Sequence, residues 1–425
     1  MGVAVSGECY VYITLPGESQ FVTAGKFQLS SDRHGTPVGR FVYGRTYLER
    51  ANAVAIDPVE LTLDKGTFQT AGLKGVFGGL RDAGPDYWGR RVIEKHAGKG
   101  QLSELDYLLQ SPDDRAGALG FGLNSAPPAP RRVFNKTIAL ARLQAVADAI
   151  VRDEDTPASS SASQVQDLML IGTSMGGARP KAVVEDDDGL WIAKFNRPDD
   201  AWNSARVEHA MLTLARRCGI DTAESRVKRV AGHDVLVVKR FDREKTAEGY
   251  LRARMISALT LLRAQDTHSD RDKWSYVALA EEIRRASAQP KKDAPELFRR
   301  MVFNALISNT DDHPRNHAML ARRDTWSLSP AYDLTPTTPI SIERRDLALM
   351  AGDMGRYAHA DNLISQSMRF LVSRHDAQAM ITEMERVVRN TWHDVARTQG
   401  VSVRDCKKIE ASFAYPGFRL SLSDA

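Results

Sequence analysis

Two kinds of hydrophobic spacing divide the chain. Residues 1 to about 65 carry short β-prone runs bounded by turn formers: Tyr10-Val11-Tyr12-Ile13-Thr14-Leu15, closed by Pro16-Gly17, and Phe41-Val42-Tyr43-Gly44. Asp86 to His96 then reads as a helix, with Pro85 where a first turn tolerates it. Ser103 to Gln110 reads as a shorter helix with Ser103 as N-cap and Leu105, Leu108 and Leu109 on its apolar side. Ala116 to Gly122 predicts a tight strand, and Ala126 to Pro130 a stiff surface connection. Residues 140–152 predict an alanine-rich helix, and Asp155 to Ser163 a flexible joint. There is no internal repeat.

The second half opens with strands and becomes helical. Lys181-Ala182-Val183-Val184-Glu185 and Leu190-Trp191-Ile192-Ala193-Lys194-Phe195 flank Asp186-Asp187-Asp188-Gly189, an acidic hairpin turn. Val207, Ala210, Met211, Leu214, Ala215 and Cys218 lie on one helical face, with Gly219 as the C-terminal stop. Val235 to Phe241 reads as a buried strand, and from Arg252 onward the pattern is mostly helical. Leu297, Phe298, Met301, Val302, Ala305 and Leu306 form the apolar face of a helix that stops before the polar stretch Ser308 to His317. Strands followed by helices predict an α+β design, a β-containing lobe with an α-helical lobe.

Composition narrows the class without naming a function. The chain has 425 residues, enough for two or three domains, with 42% hydrophobic and 26% charged residues, which excludes fibrous and wholly disordered proteins. A net charge of +4 is too small for a dedicated nucleic-acid binder. The three cysteines, Cys9, Cys218 and Cys406, are far apart and odd in number, so they suggest neither a disulfide framework nor a CxxC metal site and point to a reducing compartment. No apolar run is long enough to span a membrane, and the first 17 residues lack the cationic and apolar regions of a signal peptide, so a soluble cytoplasmic protein is expected.

The richest chemistry lies in Asn309-Thr310-Asp311-Asp312-His313-Pro314-Arg315-Asn316-His317. Two carboxylates, two imidazoles, an arginine and two amides in nine residues must all find partners, water or metal, unless the loop merely caps a neighbouring helix. Further on, Ser329-Pro330-Ala331-Tyr332-Asp333-Leu334 isolates one acid among apolar neighbours; alone it would be a turn residue. Together the two segments supply what phosphoryl transfer requires: an Asp that engages a hydroxyl, and an Asn and an Asp that hold Mg²⁺ against phosphates. Ser174-Met175-Gly176-Gly177-Ala178-Arg179-Pro180-Lys181 is a candidate phosphate cradle, although a Gly-Gly pair is also an ordinary loop signal and no Walker A lysine follows it. Lys194, in the middle of an apolar strand, is either edge-exposed or a buried cation needing an anion; Glu208 on the next helix could be that partner or an ordinary solvated acid. The order is glycine loop, strand lysine, helix glutamate, buried strand, Asp with Asn five residues on, then a later Asp. A protein-kinase-like fold uses its parts in that order.

Four segments also resemble the signatures of HipA-type serine/threonine kinase toxins of bacterial toxin–antitoxin pairs. They are Thr310 to Asn316, Gly177-Ala178-Arg179-Pro180-Lys181, Lys239-Arg240-Phe241-Asp242-Arg243 and Tyr332-Asp333. Phe77 to Ala83 and Asp113 to Leu119 resemble that family's N-terminal subdomain, so the resemblance covers most of the chain. It implies a bilobal protein-kinase-like fold with an extra β-rich N-terminal subdomain. The expected division is 1–125 for that subdomain, 126–165 for a connection, 166–245 for the N-lobe and 246–425 for the helical C-lobe.

The resemblance also implies roles. Asp311 would be the catalytic aspartate; Asn316 and Asp333 would ligate Mg²⁺. Gly176, Gly177, Ala178, Arg179, Pro180 and Lys181 would cradle ATP, and Lys194 would contact its phosphates with Glu208 as supporting partner. Lys239, Arg240 and Phe241 would form the adenine hinge, with His313 and Tyr332 near the nucleotide. Ser174 would be an autophosphorylated serine whose two negative charges exclude ATP from the cradle. The expected partners are a HipB-like helix-turn-helix antitoxin, a protein substrate such as an aminoacyl-tRNA synthetase, and DNA through the antitoxin. Two departures stand out: Asp312 replaces the glycine that follows the catalytic Asp in well-known members, and Pro180 stiffens the loop beside Lys181. With Asn316 five residues on, Asp311 is favoured as the base, and Asp312 is left to orient Arg315 or His313. The competing readings are a small-molecule phosphotransferase of the aminoglycoside type and a catalytically silent corepressor.

Overall fold

A computed structural model describes residues 7–97, 102–129, 135–136, 140–151, 179–338 and 341–420. The chain is a mixed α/β protein whose residues group into two compact units. The first runs to Arg197 and adds Lys239–Gln265 and Met319–Trp326; the second holds Pro198–Val238, Asp266–Ala318 and Ser327 onward. The expected joint Asp155 to Ser163 and the glycine-loop residues Ser174, Gly176, Gly177 and Ala178 lie outside the described residues.

The first unit begins with a five-stranded antiparallel sheet of β1 (Gly7–Thr14), β2 (Phe21–Ser31), β3 (Pro37–Tyr43), β4 (Thr67–Thr70) and β5 (Leu119–Gly122), in the order β4-β3-β2-β1-β5. Val11, Ile13, Phe27, Leu29, Phe41 and Tyr43 bury one face of it. The hydrophobic pattern does not announce β2, because its buried Ala24, Phe27 and Leu29 are interrupted by Gly25, Lys26 and Gln28. Gly25 is there for space: a Cβ on it would sit 2.3 Å from the Val42 carbonyl oxygen of β3. Ser103 caps helix Glu104–Gln110 in a reciprocal capping box with Asp106, as its position in the sequence predicts. Pro85, by contrast, precedes the helix: Asp86 accepts from the Gly89 N–H and helix Tyr87–Ala97 starts after it.

Strands Lys181–Asp186 and Gly189–Phe195 form the expected hairpin, with Gly189 at φ +125° in the turn. The register sets Lys181 directly opposite Lys194, so the two side chains leave the same face of the ribbon. Like charges there would repel, and the fold answers with Asp86: its second carboxylate oxygen lies 2.6 Å from Lys181 Nζ, both side chains almost completely buried.

A second buried network joins two segments more than 100 residues apart. Arg240 donates to both Asp242 oxygens at 3.0 and 2.8 Å and to the carbonyls of Asp114 and Arg115. Arg243 donates to Asp242 and to the Gly117 carbonyl, while the Gly117 N–H donates back to Asp242. Arg252 grips Asp113 with both terminal nitrogens. Burial pushes the Asp242 carboxyl up, but the Arg240 and Arg243 guanidiniums override this and hold it well below the usual carboxylate range. Past Arg252 the chain is less uniformly helical than its pattern suggests, since Arg254–Ser257 and Ala318–Ala321 are strands of one small sheet. Four-residue strands made of apolar runs such as Ala318-Met319-Leu320-Ala321 carry no periodicity that separates them from buried helix.

The second unit is mainly helical. Ser204–Arg217 starts on an Asn203 cap and stops at Gly219, φ +77°. Tyr276–Ala286 packs on Pro290–Leu306, and Arg374–Thr398 on both Ser204–Arg217 and Pro290–Leu306. The face Leu297, Phe298, Met301, Val302, Ala305 and Leu306 is fully buried, as its spacing predicts. Among the described residues no helix is long and apolar enough to cross a membrane.

Asp242→Ala should cost about 3–5 kcal/mol, because it leaves two arginines buried without their counter-charge. Denaturant melts at neutral pH test this. The depressed Asp242 pKa stabilises the fold above its unfolded value and stops doing so on acidification. The gap between wild type and variant should therefore close as the pH falls below about 4.

Candidate active site

The polar loop in the second unit is built on a sharp stop. Helix Pro290–Leu306 ends, Ser308 turns through a left-handed φ of +52°, and the Asn309 N–H returns to the Asn304 carbonyl at 2.8 Å. Buried neighbours hold this turn: Ser308 donates to the Ser412 carbonyl, Arg345 donates to the Ser308 hydroxyl, and the Thr337 N–H donates to the Ser308 carbonyl. A single 3₁₀ turn at Pro314–Asn316 follows, with His313 Nδ1 accepting from the Arg315 N–H.

The two adjacent acids face different surroundings. Asp312 is buried; its Oδ2 lies 2.7 Å from His317 Nε2 and accepts from the Tyr276 hydroxyl. Tyr276 in turn accepts from Asn304 Nδ2, and Asn304 accepts from Asn309 Nδ2. Burial and the Asp312 charge hold the Tyr276 hydroxyl far above its ordinary pKa, so it stays a donor. Asp311 instead opens to solvent. Partial burial, then the Asp333 and Asp312 carboxylates, raise its pKa, with His313 and Arg271 opposing. Of the two adjacent carboxylates, Asp311 is therefore the accessible one, and Asp312 is committed to the interior.

Asp312 does not orient Arg315 or His313, as the sequence suggested; Asp266 sits beside both. Its two oxygens lie 2.8 Å from His313 Nε2 and 3.1 Å from Arg315 Nε, and these neighbours hold its carboxyl well below the usual range. Trp274 packs against the His313 ring edge-on at 4.3 Å. The Tyr332 hydroxyl donates to the Arg315 carbonyl, which ties the segment carrying Asp333 to the loop carrying Asn316. Asp333 itself adopts a left-handed φ of +59°, a conformation aspartate tolerates better than most residues and one that gathers at functional sites.

Chemically, Asn316 and Asp333 offer an amide and a carboxylate oxygen, hard donors suited to Mg²⁺. Among the described residues no group of three or more His, Cys, Asp or Glu is placed to hold a metal. The Asp311–Asp333 repulsion is what a divalent cation relieves, and in that sense the donor set fits the ion.

The remaining candidates divide between the units. Glu208 is buried on helix Ser204–Arg217 in the second unit. In the first, Lys194 is half-buried, Lys181 is paired with Asp86, and the Pro180 carbonyl accepts from the Phe195 N–H. Arg179 precedes it, half-buried. At Lys239-Arg240-Phe241, the Arg240 N–H donates to the Leu190 carbonyl and the Phe241 carbonyl accepts from Arg322. Lys239 lies over the Trp191 ring. Sequence reasoning assigned no role to Asp86, Asp266, Tyr276, Asn304 or His317. Only His317, inside the polar loop, carries a signal in the sequence; the others are ordinary residues until folding gives them their partners.

Residues 173–392 match the HipA-like C-terminal domain, a little over half of the chain. The chain belongs to the HipA-like family. Its fold is similar to the HipA structure from a Shewanella oneidensis MR-1 toxin–antitoxin system, solved with HipB and operator DNA, at a TM-score of 0.68 and 15% identity over 95% of this chain and 94% of that one. Two Sinorhizobium fredii relatives are named "Putative kinase Y4dM" (32% identical over 39% of this chain) and "Putative kinase Y4mE" (25% over 79%). A Haemophilus influenzae "Putative kinase" is 25% identical over 40% of the chain. The matches span 42% of the length of Y4dM, 80% of Y4mE and 54% of the Haemophilus protein. The matched HipA-like segment contains Asp311, Asn316 and Asp333.

The two acids should separate in stability. Asp312→Ala leaves the Tyr276 hydroxyl and His317 buried without their acceptor and should cost about 1–3 kcal/mol. Asp311→Asn should melt at or above the wild-type temperature at pH 7, because it removes a carboxylate that the fold disfavours. The raised pKa places that penalty at high pH, so the advantage of Asp311→Asn should vanish below about pH 4. Thermal melts at both pH values check each outcome.

Proposed function

We propose that this HipA-like protein is a Mg·ATP-dependent kinase that phosphorylates a serine or threonine on a protein and thereby arrests growth. The observation that carries the reading is the contrast at the polar loop: Asp311 stands accessible with a raised pKa, while Asp312 is sequestered. In the proposed reaction a substrate hydroxyl attacks the γ-phosphorus, the bond to the bridging β,γ-oxygen breaks, and Asp311 accepts the hydroxyl proton. Asn316 and Asp333 would hold the Mg²⁺, which supplies charge neutralisation on the phosphates.

The names of the curated relatives support the kinase reading, and the solved HipA with HipB and operator DNA supports a helix-turn-helix antitoxin partner that carries the DNA contact. The finer assignments rest on the sequence reading and the resemblance. They are Lys194, Lys181 and Lys239 to Phe241 as nucleotide contacts, an aminoacyl-tRNA synthetase or similar translation component as target, a cytoplasmic location, and self-inhibition by phosphorylation of Ser174.

Asp311→Asn should lower transfer of labelled phosphate to protein roughly 10²- to 10⁴-fold without loss of fold, and abolish growth arrest in cells. Undiminished transfer in that variant removes Asp311 from the reaction, and full growth arrest in a variant that no longer transfers phosphate removes the kinase account; transfer to small hydroxyl compounds but never to protein replaces it with a small-molecule phosphotransferase. Ser174→Glu should weaken ATP binding measured by calorimetry, through repulsion of the triphosphate.

A further inference from the structure

The buried partners of Asp312 do more than fill space. His317 Nε2 to Asp312 Oδ2, at 2.7 Å, closes the loop from its inner side, and the chain neighbour at each end of that contact is a candidate functional group. Asp311 precedes Asp312, and Asn316 precedes His317. The carboxylate between them is fixed from two helices. Tyr276 opens Tyr276–Ala286, and Asn304, near the end of Pro290–Leu306, donates to the Tyr276 hydroxyl at 3.1 Å.

As a stabilising device this network is poor. An aspartate buried to 1% exposure costs several kcal/mol of hydration. Asp312 Oδ1 and His317 Nδ1 are both buried with no hydrogen-bond partner among the described residues, so the cost is only partly returned. An apolar pair of similar volume would hold the core as well or better. What an apolar pair could not supply is direction, since a charged hydrogen bond between fixed donors sets the loop's register.

We infer that Asp312 and His317, braced by Tyr276 and Asn304, are positioning residues: they form an internal clamp that sets Asp311 and Asn316 for the substrate hydroxyl and the Mg²⁺ ion. This rests on the kinase reading and deepens it. Loss of such supporting hydrogen bonds weakens metal affinity or activity about 10- to 100-fold in metal sites generally.

The test uses three variants of the full chain. His317→Phe keeps an aromatic ring against Tyr276 but removes the donor. His317→Gln keeps an N–H where Nε2 lies. Asp312→Leu with His317→Phe removes clamp and buried charge together. Each is melted, titrated by calorimetry with a non-hydrolysable ATP analogue with and without Mg²⁺, and assayed for transfer against Mg²⁺ concentration.

His317→Phe should lose about 10- to 100-fold of the Mg²⁺-dependent gain in analogue affinity and need correspondingly more Mg²⁺ for transfer, while His317→Gln stays near wild type. The double variant should regain melting temperature without regaining the Mg²⁺ response, which a merely structural role would restore. Should His317→Phe destabilise the fold, the double variant decides. A wild-type Mg²⁺ response in the double variant overturns the clamp and leaves the kinase reading intact. No Mg²⁺-dependent gain in the wild-type protein itself overturns the kinase reading and the clamp with it.

Discussion

A polar loop can be held at the surface of a helical core only if its inward-facing groups are satisfied, and the hydrogen bonds around Asp312 do most of that here. The helix before the loop ends in residues that are apolar on the core side and amide-bearing at the last turn. Asn304 and Asn309 link to one another and to Tyr276, Tyr276 meets Asp312, and Asp312 meets His317. Asp312 is held on the inner side of the loop, while Asp311 is left open to solvent. Two adjacent aspartates thus acquire opposite roles from their surroundings, a division no side-chain identity could make.

The first unit uses charge differently. Arg240, Arg243 and Arg252 are distributed over carbonyls and carboxylates of the Asp113 to Gly117 segment, so that two stretches distant in sequence become one ion-bonded body. The same economy appears at Lys181, where Asp86 caps a helix with one oxygen and neutralises a buried lysine with the other. That pairing lets two lysines face each other across a hairpin, because only one of them, Lys194, is left partly open to solvent.

Much of this organisation was legible beforehand. The hairpin at Asp186 to Gly189, the capped helix after Ser103, the one-sided helices ending at Arg217 and Leu306, and the position of the polar loop all follow from local rules of turns, caps and periodicity. The misses share a cause. The hydrophobic pattern of β2 is interrupted by a glycine needed for close approach of its neighbour, and Arg254–Ser257 and Ala318–Ala321 are too short to show a period. At the site, Asp312 was placed against Arg315 or His313, its neighbours in sequence, whereas its partners come from His317 and a helix that starts at Tyr276.

The amino-acid sequence by itself determined which elements form and which short segments carry carboxylate, amide and imidazole groups, because those depend on contacts within a turn or two of the chain. Tertiary structure alone decided which of two neighbouring aspartates is buried, that Asp266 rather than Asp312 sits beside His313 and Arg315, and that Lys181 has Asp86 for a partner. Those outcomes turn on burial and on charges brought together from remote positions, and neither quantity exists until the chain has folded.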